Sequence, residues 1–217
     1  MSTTIRELEP KEVWNRFADI NAVPRPSKKE QKITAFMVDF GKKLGLETTS
    51  DAYGNVIIRK PATAGLEHKK PIILQSHLDM VCQKNNDTVF DFDNQGIETY
   101  IDGDWVRAKG TTLGADNGMG VAAIMAILES KTIAHPALEA LFTTDEETGM
   151  TGAQKLSNDA LKGEILLNLD TELDTEIEIG CAGGIDVSAY ADYKEEATPS
   201  DVVAYHIVVT GLLGCLL

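Results

Sequence analysis

The sequence has little cysteine for its length. Its 217 residues include three cysteines, Cys82, Cys181 and Cys215, which are far apart and form no C-x-x-C pair. This spacing does not favour a disulfide framework or a cysteine-bound zinc site. A protein of a reducing compartment fits such cysteine usage best, and we predict a cytoplasmic location.

Basic residues are also scarce relative to acidic ones. The chain has 34 acidic and 20 basic residues, which gives a formal net charge of −14. Nucleic acids and anionic membrane surfaces would repel this charge, so neither is expected as a partner. An excess of acid is typical of soluble proteins, and it also suits a protein that gathers cations.

Long hydrophobic runs are absent as well. The longest, GVAAIMAIL at 120–128, is too short to span a bilayer. The first residues, MSTTIRELEPKEVW, contain no apolar segment of the kind found in secretory signals. Hydrophobic residues still make up 43% of the chain, which is enough to build one substantial core.

Helical and strand-like patterns alternate along the chain. The first helix is predicted from Pro10 to about Ile20, and a second one follows the S-x-x-E capping box formed by Ser27 and Glu30. Strands are predicted at 55–60, 71–76, 104–110, 138–144 and 164–170, and further helices at 116–131 and 151–161. This order is typical of an α/β fold with a mainly parallel sheet flanked by helices.

The pattern changes after Gly183 and Gly184. The stretches IDVSAYADYKEE and DVVAYHIVVTGLL are typical of antiparallel strands joined by a charged turn. We therefore predict a first domain over residues 1–185 and the start of a second, α+β domain over residues 186–217. The second segment is too short to bury its own faces.

Potential ligand residues follow the predicted strands or open a predicted helix. In open α/β sheets, ligand sites form beyond the carboxyl ends of the strands. One histidine and five carboxylates would then share a cleft, and their repulsion would cost several kcal/mol without a cation. The pattern thus predicts a divalent metal site. The residues are His77, Asp79, Asp116, Glu146, Glu147 and Asp170.

Each of these signals also has a structural explanation when taken alone. Asp116 can cap the helix that it precedes, and Asp170 can begin a turn. The pair Glu146 and Glu147 can be a solvated loop end. The combination is more specific than any of its parts, because the residues come from separate stretches that the fold brings to one sheet edge.

Four motifs contain these residues and together resemble those of a known family. They are similar, in order and spacing, to the motifs of the M20 metallopeptidases, and among these to the bacterial aminoacyl-histidine dipeptidases. The motifs are SHLDMV (76–81), GTTLGADNGMGVAA (110–123), TTDEETGMTGA (143–153) and LLNLDTE (166–172).

The resemblance implies a dipeptidase and its domains. It implies a metallopeptidase catalytic domain over residues 1–185 and the start of a lid and dimerisation domain over 186–217. The family acts on small dipeptides, including Xaa-His, and is expected to form homodimers.

The resemblance also implies two zinc ions side by side. His77 and Asp170 would hold one ion, Glu147 would hold the other, and Asp116 would bridge them. Manganese or cobalt can replace zinc at a site that is rich in oxygen ligands.

Two further roles and one backbone feature come from the same resemblance. Glu146 would be the general base that takes a proton from the attacking water. Asp79 would contact His77 and orient it. The peptide bond between Asp116 and Asn117 would be cis.

Two histidines that the resemblance implies are not found in the chain. One would follow TGLLG (210–214) and reach the substrate, and the other would be the last ligand of the zinc held by Glu147. We therefore expect the 217-residue chain to be incomplete and to have little or no peptidase activity. Two alternatives stay open: an M20-type amidohydrolase such as an N-acyl-amino-acid deacylase, and a catalytically silent metal-binding fragment.

Overall fold

The chain divides into two compact units, Met1–Asp174 and Thr175–Leu217. The computed structural model describes residues 4–171, 173, 175–180, 183 and 187–209. The domain boundary predicted near residue 185 and the TGLLG stretch at 210–214 lie outside the described residues, so both stay predictions.

The second unit contains no helix or strand within its described residues. The antiparallel strands predicted there are therefore wrong for that part of the chain. Its apolar side chains, such as Val187, Tyr205 and Ile207, are exposed. A strand pair with no packed face is marginal in water, which explains why the alternating pattern alone does not produce one.

The first unit contains five helices, a short 3-10 helix at Ile5–Glu7 and seven strands among its described residues. The helices are α1 (Lys11–Asn21), α2 (Gln31–Lys43), α3 (Ala115–Glu129), α4 (Glu146–Gly149) and α5 (Thr151–Lys155). The strands are β1 (Glu47–Ser50), β2 (Val56–Lys60), β3 (Ile72–His77), β4 (Thr99–Asp102), β5 (Trp105–Ala108), β6 (Leu138–Thr143) and β7 (Ile165–Asn168).

The main sheet has five strands in the order β1-β2-β6-β3-β7. Strand β3 pairs in parallel with β6 and with β7, whereas β2 is antiparallel to both β1 and β6. All strands except β2 therefore run in one direction. Strands β4 and β5 form a separate antiparallel hairpin.

Hydrophobic side chains cover both faces of this sheet. Alternate residues of a strand point to opposite faces, and Val56 and Ile58 lie in the large cluster with α1, α2 and α3. Ile57 lies in a smaller cluster on the other face, where Leu156 and Leu161 pack. The predicted mainly parallel sheet flanked by helices is thus confirmed.

Local predictions on a helix end and on one strand differ from the structure. The helix predicted over 151–161 ends at Lys155, because Leu156 is already extended with φ −60° and ψ 134°. Strand β1, with the sequence ETTS, was not predicted, because it is polar and largely exposed. Its stability depends on pairing with β2 rather than on an apolar pattern.

Strand register brings distant residues to one level of the sheet. His77 ends β3 opposite Thr143, the last residue of β6, so the acidic loop after β6 starts beside it. Asn168 of β7 pairs with Gln75. Two residues further along both strands, Asp170 therefore lies level with His77. None of the helices in the described residues is long and apolar enough to cross a membrane.

Candidate metal centre

The imidazole of His77 lies at the centre of the site and is buried. Its Nδ1 is 3.1 Å from the backbone carbonyl oxygen of Asp79 and 3.3 Å from the Oδ1 atom of the same residue. Because both neighbours are acceptors, Nδ1 carries a proton and donates it. The Nε2 atom then faces the cleft.

Carboxylates from three different segments surround Nε2 of His77. Asp116 Oδ1 lies 3.0 Å away, Asp170 Oδ2 3.7 Å and Glu146 Oε2 3.9 Å. Two groups of potential metal ligands result. In each group, the ligand atoms lie within 4.8 Å of one another. These groups are His77 with Glu146 and Asp170, and His77 with Asp116 and Glu147. All the predicted site residues are therefore close together.

Asp79 is fully buried and lies on the Nδ1 side of the His77 imidazole. Its Oδ2 accepts hydrogen bonds from Ser27 Oγ at 2.8 Å and from the backbone N–H of Glu147 at 3.2 Å. Its Oδ1 accepts one from the backbone N–H of Glu146 at 3.1 Å. Burial alone would raise the pKa of Asp79, but the hydrogen bonds from His77, Ser27 and Glu146 outweigh it and lower this pKa. Asp79 is therefore ionised at neutral pH.

The acidic loop at 145–147 separates its three side chains. Asp145 has a left-handed backbone with φ 56°, and its carboxylate accepts hydrogen bonds from the hydroxyls of Thr148 and Thr151. Its backbone N–H donates to Glu30 Oε1 at 2.9 Å. Asp145 is thus turned inward and buried, whereas Glu146 and Glu147 are only half-buried. The crowding of three acids is relieved because each has different surroundings.

A third group of acids, Glu30, Asp79 and Asp145, also lies within ligand distance of one another. All three are buried. Their oxygens already accept hydrogen bonds, from backbone N–H groups and from hydroxyls. We therefore assign this group to the support of the acidic loop and not to metal binding.

Asp116 reaches His77 from the start of α3. The peptide bond between Asp116 and Asn117 is cis, as the family resemblance implies. The backbone of Asp116 is not helical, with φ −81° and ψ 114°, so this residue stands before the regular part of the helix. The hydrogen bond with His77 lowers the pKa of Asp116.

Burial and neighbouring charges shift the pKa values of the site residues. Burial, and after it the negative charge of Asp116, raises the pKa of Glu147 to about 7. Burial also raises the pKa of Glu146 and of Asp170. Burial lowers the pKa of His77, but hydrogen bonds with Asp116 and Asp79 outweigh it and raise this pKa to about 10. The raised pKa values show that these carboxylates resist being ionised all at once. One imidazole and several carboxylates are a ligand set that suits a divalent cation such as Zn²⁺.

Sequence reasoning missed the supporting roles of Ser27 and Glu30. Their spacing predicts a capping box for α2, and that prediction is wrong. Helix α2 has no side-chain cap: Ser27 Oγ donates to Asp79, and Glu30 accepts from the backbone of Lys28 and of Asp145. The same residue types suit both roles, so the local pattern cannot separate them.

Comparisons with known proteins agree with the geometry. The chain is 46% identical over 210 residues to the cytosol non-specific dipeptidase of Escherichia coli (strain K12), covering 97% of this chain and 43% of that protein. Its structure is similar to that of aminoacylhistidine dipeptidase from Vibrio alginolyticus, with a TM-score of 0.77 and 50% identity over 78% of this chain and 35% of the other. The aminopeptidase PepT from Bacillus cereus ATCC 10987 matches with a TM-score of 0.62 and 26% identity, over 74% of this chain and 43% of the other.

The chain spans less than half the length of these relatives. The family model that matches residues 55–202 is that of peptidase family M28. This match does not confirm the M20 assignment that the motif resemblance implies, and that assignment stays a prediction. Because the match includes more than half of the residues, the protein belongs to peptidase family M28.

Proposed function

We propose that this chain carries the metal-binding core of a dipeptidase of the M20 type. The observation that supports it most is the convergence of Asp116, Asp170 and Glu146 on Nε2 of His77, at 3.0 to 3.9 Å. The names of two of the relatives that the chain matches, a cytosol non-specific dipeptidase and an aminoacylhistidine dipeptidase, support dipeptides, including Xaa-His, as substrates.

The proposed cofactor is a pair of zinc ions, for which manganese or cobalt can substitute. His77 and Asp170 would hold one ion, Glu147 the other, and Asp116 would bridge both. Bound there, two cations supply Lewis acidity toward the peptide carbonyl and make a nearby water more acidic. The imidazole is held for this by Asp79, whose contacts fix Nδ1 as a donor and leave Nε2 for the ion.

Glu146 is the proposed general base. Its carboxylate is half-buried and reaches to within 3.9 Å of His77 Nε2. Burial raises its pKa, which brings it closer to neutral pH, where a base is most effective. Glu146 takes the proton from the attacking water onto a carboxylate oxygen and passes it to the amine that leaves. The hydrogen bond from its own backbone N–H to Asp79 holds the residue in place.

The test measures zinc stoichiometry and affinity on the purified chain, together with dipeptide hydrolysis. We expect one or two zinc ions per chain, with binding lost in His77→Ala. Glu146→Gln separates a base from a ligand, because a base mutant still binds zinc whereas a ligand mutant binds it more weakly. Glu67→Gln, which changes an exposed acid outside these motifs, is the control. A folded chain that binds no zinc would overturn the proposal.

Hydrolysis supplies the second measurement. We propose that these 217 residues alone, which span less than half the length of the relatives, hydrolyse dipeptides weakly or not at all. Robust hydrolysis by this chain that Glu146→Gln leaves unchanged would argue against Glu146 as the base. Residues 1–185 are the proposed catalytic domain and 186–217 the start of a lid and dimerisation domain, in a cytoplasmic homodimer.

A further inference from the structure

Arg25 is a buried cation that the proposed mechanism does not use. It lies between α1 and α2 and is 2% exposed. Its Nη1 donates to the carbonyl oxygens of Leu78 at 3.2 Å and Asp79 at 3.0 Å, and its Nη2 donates to that of Gly114 at 2.5 Å. One guanidinium thus connects the segment after β3 to the segment before α3.

Both segments carry residues of the metal centre. The carbonyl oxygen of Asp79 that accepts from Arg25 also accepts from Nδ1 of His77. Gly114 is two residues before Asp116, whose carboxylate contacts Nε2 of the same imidazole. Through these contacts, the position of Arg25 affects the distance between His77 and Asp116.

The glycines of the segment GADNG leave room for this guanidinium. A Cβ atom at Gly114 would lie 2.3 Å from Nη2 of Arg25, and one at Gly118 would lie 2.7 Å from the same nitrogen and 3.0 Å from the ring of Phe17. No side chain larger than hydrogen fits at either position while Arg25 stays where it is. The close approach of the guanidinium thus gives a packing reason for glycine at both positions.

The geometry of the contact requires an arginine. A guanidinium is a planar fork whose nitrogens can donate to two segments at once, whereas a lysine ammonium is a single point. Burial opposes the charge and lowers the pKa of Arg25 to about 10, with Asp79 acting against this shift, so the group is charged at neutral pH. Burying an arginine is costly and uncommon, and here the charge lies close to the acids of the metal centre.

We propose that Arg25 is a positioning residue for the metal centre, whose two-segment contact sets the distance between His77 and Asp116 and thereby the affinity for the ion. This inference rests on the proposed function. A purely structural role would instead lower stability without changing the affinity of the folded chain.

The test compares Arg25→Lys with Arg59→Lys. Arg59 is the control, because it is partly buried, with 22% of its side chain exposed, and it also joins separate segments. It contacts Glu47, Glu139 and the carbonyl of Ala160, at the opposite end of β2 and β6 from the metal centre. Zinc affinity is measured by competition with a chromophoric chelator, well below the unfolding temperature of each metal-free variant. We expect Arg25→Lys to bind zinc at least about tenfold more weakly and Arg59→Lys to stay within about twofold of the parent.

A second variant covers the case in which Arg25→Lys does not fold. Gly118→Ala keeps every hydrogen-bonding group of Arg25 but pushes on its Nη2, so it should also weaken zinc binding. Zinc binding by the parent chain reports on the proposed function, and the ratio of variant to parent affinity reports on Arg25. If Arg25→Lys folds and binds zinc as tightly as the parent, the inference is overturned. If Arg25→Lys does not fold, parent-like zinc binding by Gly118→Ala overturns it instead. Equal losses in Arg25→Lys and Arg59→Lys would do the same, because the effect would then follow stability.

Discussion

The backbone N–H of Glu146 donates a hydrogen bond to Oδ1 of Asp79, 3.1 Å away. A residue that follows β3 thus holds the loop that follows β6. The next N–H, that of Glu147, donates to the other oxygen of the same carboxylate. Asp79 therefore orients the imidazole and the acidic pair together, although it is not proposed as a ligand.

We predict that Asp79→Asn weakens zinc binding about 10- to 100-fold. An asparagine side chain has a single acceptor oxygen, so its amide group would face one of the two backbone N–H donors, that of Glu146 or that of Glu147. Titration of zinc against a competing chelator measures the loss. Asp93→Asn is the control, because Asp93 is exposed and pairs with Lys29 on the surface. Equal affinity of Asp79→Asn and the parent would contradict the role of the carboxylate.

Gly120→Ala should destabilise the fold, contrary to the usual effect of alanine in a helix. A Cβ atom at Gly120 would lie 2.1 Å from Asn117 Oδ1 and 2.6 Å from Ser76 Oγ, and both of these atoms are buried. The loss in free energy of unfolding should be about 1–3 kcal/mol, as for other overpacked cores. Denaturant unfolding of the metal-free chain measures it.

Gly149→Ala is the matched control for this prediction. Gly149 is also in a helix, and a Cβ atom there would have only Thr151 Oγ1 nearby, at 4.0 Å. This change should alter the free energy of unfolding by less than about 0.5 kcal/mol. If both alanine variants unfold alike, close packing at Gly120 is not what requires the glycine.

Ser27→Ala distinguishes the capping role that the sequence predicts from the contact that the structure shows. A lost N-cap would destabilise α2 by about 1 kcal/mol and leave zinc binding unchanged. Because Ser27 Oγ donates to Asp79 instead, we expect zinc affinity to fall about 2- to 10-fold. The measurement is zinc affinity and the free energy of unfolding on the same preparation. Ser50→Ala serves as control, since Ser50 is exposed.

The sequence predicts the apolar strands and the three longest helices of the first unit, and the residues that converge at the end of β3. Strand and helix periodicity report which residues face a core, and chain direction then places His77 and Glu146 at one edge of the sheet. The supporting contacts could not be predicted this way. Glu30 meets the backbone of Asp145 across 115 residues of sequence, and Arg25 meets Gly114 across 89. Local sequence patterns cannot predict contacts between residues so far apart in the chain.

Zinc should stabilise the chain more as the pH rises from about 6 to about 8. In the metal-free fold the pKa of Glu147 is raised from 4.5 to about 7, so its contribution to stability is present below pH 4.5 and is lost as the pH rises through 7. The raised pKa of His77, about 10, acts in the same direction at higher pH. Zinc displaces these protons and binds better as they leave. The difference in unfolding temperature between zinc-loaded and chelator-treated chain should therefore widen over this range, and Glu147→Gln should reduce the widening. A difference that stays constant or narrows would show that these groups do not hold protons in the metal-free site.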